Sequence, residues 1–137
     1  MLLAQLAPAI EGIRLSLHVF AAAVWVGGQA TIARLVPTAR RLGEDAPRQV
    51  ARAFSRLSWP AYVVLLGTGV WNIMALGTTP STTWQIVLGV KVAVVLIAGL
   101  AAWLHGRARN RTSLAVWGAI TGTASSTALV MGVLLAG

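Results

Sequence analysis

The run Gln85-Ile86-Val87-Leu88-Gly89-Val90-Lys91-Val92-Ala93-Val94-Val95-Leu96-Ile97-Ala98-Gly99-Leu100-Ala101-Ala102-Trp103-Leu104 carries a single charge, on Lys91. A helix needs about 20 apolar residues to cross the hydrocarbon core of a bilayer. The stretch therefore predicts a transmembrane helix over 85–104. Three further runs satisfy the same length rule, over 10–34, 58–76 and 114–136. Pro60 stands near the start of the second, where proline is tolerated. The expected fold class is an all-α membrane protein, an antiparallel four-helix transmembrane bundle, with residues 1–137 as one domain. The first run is read as a retained helix and not a signal peptide. It lacks a basic leading segment, has Glu11 ahead of it, and exceeds the usual apolar length.

Composition agrees. Of 137 residues, 57% are apolar and 10% charged, where a soluble domain carries about 25% charge. Mean hydropathy is +0.77. The net charge of +8 does not point to nucleic acid, because the basic residues are gathered in two short segments and not spread over a folded polar surface. There is no cysteine, which excludes disulfides, thiolate metal sites and cysteine nucleophiles.

The connections set the expected orientation. The first, 35–57 with Arg34 at its edge, holds Arg40, Arg41, Arg48, Arg52 and Arg56. The third holds Arg107, Arg109 and Arg111, and the middle one, Gly77-Thr78-Thr79-Pro80-Ser81-Thr82-Thr83, has no charge. Short arginine-rich loops stay in the cytoplasm, so both termini and the middle connection are expected outside (N-out/C-out), in the plasma membrane. Within the first connection Asp45 is a candidate N-cap, with Pro47 in the first turn. Val50, Phe54 and Leu57 form an apolar stripe, while Arg48, Arg52 and Arg56 recur every fourth residue. That pattern fits a short amphipathic helix on the inner lipid surface, or a solvated basic loop that only sets topology. Trp71 and Trp84 flank the middle connection as interfacial anchors do. Gly118, Gly122 and Ser126 give a small-xxx-small face, read as bundle packing, with a homo-oligomer contact or a larger membrane complex as alternatives.

Polar side chains inside apolar runs are the candidates for chemistry, since burying an ionisable group in hydrocarbon is costly. Lys91 lies roughly 9 Å below the outer end of its helix, at 1.5 Å per residue, unless it snorkels to the headgroups. His18, in Leu17-His18-Val19-Phe20-Ala21-Ala22-Ala23, lies at a similar depth. Arg14, His18, Trp25 and Gln29 share one face, as do Thr68 with Asn72 and Thr121 with Ser125. Met1, Met74 and Met131 map to the outer half. Thioethers suit Cu(I) and are also ordinary apolar filler. His105, beside Arg107, reads as an interfacial histidine.

The segment Leu17-His18-Val19-Phe20-Ala21-Ala22-Ala23-Val24-Trp25-Val26-Gly27-Gly28 resembles the first-helix signature of the CopD (copper resistance D) family. Arg52-Ala53-Phe54-Ser55-Arg56-Leu57-Ser58, Leu66-Gly67-Thr68-Gly69 and Gly89-Val90-Lys91 resemble its remaining blocks, so that the likeness runs from His18 to about Arg111. It implies one four-helix unit of the eight-helix CopD layout and a role in copper handling. The chain is also similar in layout to HemJ-type membrane proteins, whose intramembrane histidine and lysine, matched by His18 and Lys91, are associated with b-type haem.

Together these readings predict one site formed by His18 and Lys91 with Arg14 and Asn72 nearby. Its cofactor is a copper ion, completed by Met74 or Met131, or alternatively haem b. Lys91 has no acidic partner in the membrane, so it is either neutral or balanced by a bound anion such as a haem propionate. An accessory subunit without chemistry is the third class. No catalytic residue is assigned.

Overall fold

The structure is a computed structural model, and it describes residues 9–136. Helix α1 spans Ala9–Ala22 and passes through a π-helical turn, Ala23–Gly27, directly into α2, Gly28–Leu42. Helix α3 spans Ala46–Met74, α4 Thr82–Arg107 and α5 Arg111–Ala136. Among the described residues there is no strand. Four continuous helices, Ala9–Leu42, Ala46–Met74, Thr82–Arg107 and Arg111–Ala136, are long and apolar enough to cross a membrane, the pattern of a multi-pass membrane protein. Large apolar side chains lie on the surface, with Phe20 71% and Leu134 70% exposed, whereas most buried residues are small, such as Ala21, Ala98, Ala101, Ala128, Ser58, Thr68, Thr121 and Ser125, with the aromatic pair Trp25 and Tyr62 as the large exceptions. Lipid, unlike water, solvates the large apolar groups, and small residues let helix backbones approach.

The helix ends differ from the expected ones in an instructive way. The first helix does not stop at 34 but continues to Leu42. The segment expected as a connection with a separate short helix is the first part of α3. The true connection is a turn at Gly43, Glu44 and Asp45, with Gly43 at φ 151°. A basic run ends the apolar span, but arginine and alanine are strong helix formers, so helix continues where hydropathy falls. Pro60 is accordingly inside α3 and not near its start. Pro47 does occupy the first turn. Asp45 stands at the N-cap position, yet its side chain makes no capping hydrogen bond; its carboxylate lies 3.7 Å from Arg48. Helix α4 starts earlier than expected because Ser81 caps it, accepting from the Trp84 amide at 3.3 Å, and Asn110 caps α5 by accepting from the Ser113 amide at 2.7 Å.

The chain divides into two compact units, one ending at Gly77 and the other beginning at Thr78. In the first, α1, the π-turn and α2 pack along α3. His18 meets Thr68, Trp25 meets Tyr62 and Trp59, and Phe54 fills the space over Gly28. Partner numbers fall along α3 as they rise along the first helix. Any side chain at position 28 would run into the Phe54 ring, which is why glycine stands there.

In the second unit α4 and α5 pair along a seam of period seven. The Trp84 indole donates to the Leu135 carbonyl at 3.2 Å, the Lys91 ammonium lies over Gly132, the Thr121 hydroxyl donates to the Ala98 carbonyl at 2.9 Å, and the His105 ring donates to the Leu114 carbonyl at 2.9 Å. A seven-residue seam is what knobs-into-holes pairing of two helices produces. Of the expected small-residue face, Gly118 packs under the His105 ring, whereas a side chain at Gly122 would meet nothing within 4 Å and Ser126 is exposed.

Candidate functional site: a hydrogen-bonded histidine on the first span

His18 projects from α1 onto α3. Its Nδ1 lies 2.8 Å from the Thr68 hydroxyl. That hydroxyl lies 2.7 Å from the Val64 carbonyl and 3.2 Å from that of Leu65. A carbonyl only accepts, so the Thr68 proton points to Val64, one turn back on its own helix. Toward His18 the hydroxyl therefore accepts, and Nδ1 carries the hydrogen. In the neutral ring Nε2 then holds the lone pair. The ring packs against the backbone at Gly69, where an added Cβ would sit 3.6 Å from Cε1.

Helix periodicity places the neighbours. One turn before His18 stands Arg14, with its side chain 11% exposed and its Nη2 3.5 Å from Glu11. One turn after Thr68 stands Asn72. In the other direction Trp25, 3% exposed, forms an aromatic cluster with α3. Its ring lies 4.5 Å from that of Tyr62 and 5.8 Å from that of Trp59. The expected inward face of the first helix is thus realised: Arg14, His18 and Gln29 are partly buried and Trp25 fully so. The π-turn holding Trp25 rotates that face within the span, and such bulges concentrate at functional positions. Trp59 and Tyr62 were not among the candidates. The chain has one tyrosine, and its place within an apolar run was the available signal.

Of the methionines, Met74 is 79% exposed. It lies two residues beyond Asn72, on another face of α3, so it does not join His18. Met1 lies outside the described residues. Met131 and Lys91 belong to the second unit. There Lys91 is half-buried and its Nζ lies 3.0 Å from where a Cβ on Gly132 would stand. Among the described residues Lys91 is in no ion pair; those present are Arg14 with Glu11 and Arg48 with Asp45. Gly132 was not a candidate, since nothing in its sequence context marks it as the residue that admits a lysine. Thr121 and Ser125 are both buried, as their shared face predicts. His105 bridges α4 and α5, and Arg107 stacks 3.7 Å over the Trp103 ring. Among the described residues no cluster of three or more His, Cys, Asp or Glu side chains is present.

No family model matches the chain, and neither a curated protein nor a solved structure matches it.

Proposed function

We propose that the chain is a multi-pass protein of the plasma membrane that holds a metal-containing cofactor through His18, haem b in the first place. The observation that carries this reading is the relay from the His18 ring through the Thr68 hydroxyl to the Val64 carbonyl. A histidine whose second ring nitrogen is fixed by a hydrogen bond is oriented as metal-ligating histidines are. Arg14 favours an anionic cofactor. It stands one turn from His18, about 6 Å along the helix, and although Glu11 pairs with its Nη2, its buried Nε–H remains a donor for a carboxylate. Haem combines an iron that accepts an imidazole with two carboxylates, and would supply one-electron redox chemistry. The protein's own part is to hold the imidazole by Thr68, to pack it on Gly69, and to enclose one side with Trp25, Trp59 and Tyr62.

Copper handling is the second reading, favoured by the same oriented imidazole, which copper also takes, and by the CopD-like stretch from Leu17 to Gly28. The exposure of Met74 removes one thioether that such a site would use. An accessory subunit of a larger membrane complex is the reading left if no cofactor binds.

The topology belongs to the same proposal: an antiparallel run of four spans, both termini outside, the arginine-rich connections in the cytoplasm, and lipid rather than nucleic acid against the surface. Its support is the arginine distribution together with the falling order of partner residues within each helical pair.

The test is purification in mild detergent from cells supplied with haem precursors or copper, followed by metal analysis and an absorption spectrum, on the parent and His18→Ala. A Soret band in the parent that is lost in His18→Ala is expected. No cofactor in the parent, or full retention in the variant, would overturn the reading.

A further inference from the structure

Three crossings show the register of the first helix against α3: His18 at Thr68, Trp25 at Tyr62 and Gly28 under Phe54. Partner numbers fall on α3 as they rise on the first helix, so the turn before His18 and the turn after Thr68 come level. Those turns carry Arg14 and Asn72. Each buries one polar atom that has no hydrogen-bond partner among the described residues: Nε of Arg14 and Oδ1 of Asn72. The ion pair with Glu11 engages Nη2, the far end of the guanidinium, and leaves Nε–H buried without a partner among the described residues. An unsatisfied buried polar group is costly and calls for a partner. The surroundings are apolar and exposed: Ile13, Leu17, Val70 and Ile73.

We propose that Arg14 and Asn72 form an oxyanion-binding cleft between α1 and α3 that receives the carboxylate or phosphate head of an amphiphile. Arg14 donates Nε–H to one oxygen. A half-turn of the Asn72 amide, which exchanges oxygen for nitrogen at almost no change in shape, supplies a second N–H to the other. The exposed aliphatic side chains on both helices cover the apolar body. A charged head suits the cleft because Glu11 occupies only Nη2 of the guanidinium, and the buried Nε–H that it leaves open binds an anionic oxygen more strongly than a neutral one. The cleft goes beyond the metal reading. It needs neither a metal nor His18.

The test uses the full chain in phosphatidylcholine nanodiscs, with displacement of a fluorescent fatty acid by oleate or by methyl oleate. Oleate should bind at least about tenfold more tightly than its ester, the scale of one charge-assisted hydrogen bond. Arg14→Gln and Asn72→Asp should each abolish that preference, the second by repulsion in a side chain of unchanged size. Arg14→Lys should restore part of it. If the natural occupant is a phospholipid head, phosphatidylglycerol in the nanodisc should suppress the oleate preference. Native mass spectrometry should then find that lipid retained by the parent and lost from Arg14→Gln. Equal binding of oleate and its ester overturns the proposal, as does a preference unchanged in folded Arg14→Gln or Asn72→Asp. The His18 reading fails separately, by the absence of metal, so the two outcomes are distinguishable.

Discussion

The hydroxyl of Thr68 accepts a hydrogen bond from His18 Nδ1 at 2.8 Å while giving its own proton to the Val64 carbonyl at 2.7 Å. One threonine thereby fixes both the direction and the tautomer of an intramembrane imidazole. Its isostere valine keeps the shape and removes the acceptor. Under the haem reading, Thr68→Val should weaken cofactor retention about 10–100-fold, the usual effect of removing a histidine's outer hydrogen bond, and Thr68→Ser should retain it. Titration of the apoprotein with haem, followed by absorbance, measures this. Equal affinity in Thr68→Val and the parent would show that the relay does not orient a ligand.

Topology is tested in intact cells. Cysteines placed singly at Thr79 and Arg109, in a chain that has none of its own, report the two kinds of connection. An impermeant maleimide should label position 79 and not position 109. The reverse pattern would place the arginine-rich segments outside and end the orientation proposal.

Lys91 is the chain's only lysine, so amine chemistry addresses it together with the N-terminus alone. Its Nζ rests where a larger residue at 132 would intrude. Gly132→Ala should displace the ammonium group and change its rate of modification by a membrane-permeant amine reagent. The stability cost should be under about 1 kcal/mol, because the end of a lysine side chain moves easily. Peptide mass analysis of the modified site gives the rate. An unaltered rate would mean that Gly132 does not set the lysine's position.

Gly43 has φ 151° in the turn that joins α2 to α3. That backbone region belongs essentially to glycine, and forcing another residue into it costs on the order of 1–3 kcal/mol. Gly43→Ala should lower the melting temperature in detergent, while Gly77→Ala, in the connection between α3 and α4 and with open space around it, should change it little. Equal melting of the two variants would contradict the strained turn.

Much of the fold was legible in the chain. Four apolar runs have the length that a bilayer demands, and a run such as 85–104 has no alternative way to satisfy its backbone in lipid except as helix. The face shared by Arg14, His18, Trp25 and Gln29 followed from helical periodicity alone, and the structure turns it inward. The segment 35–57 misled for a definable reason. Hydropathy reports where a helix leaves the apolar solvent, whereas helix continuation depends on backbone propensity, and the arginines there favour helix as well as water.

By itself the sequence determined the number of spans, the placement of arginine, and which polar side chains would be stranded in apolar surroundings. These are properties of single segments, fixed by the solvent each must face. Only the tertiary structure decided that the His18 ring would be held by Thr68, that Phe54 would fill the space over Gly28, that Gly132 would admit Lys91, and that Met74 would lie on a face away from His18. These depend on the register between helices, which is set by side-chain shape at each crossing, and one turn of slip along α3 would have given His18 a different partner.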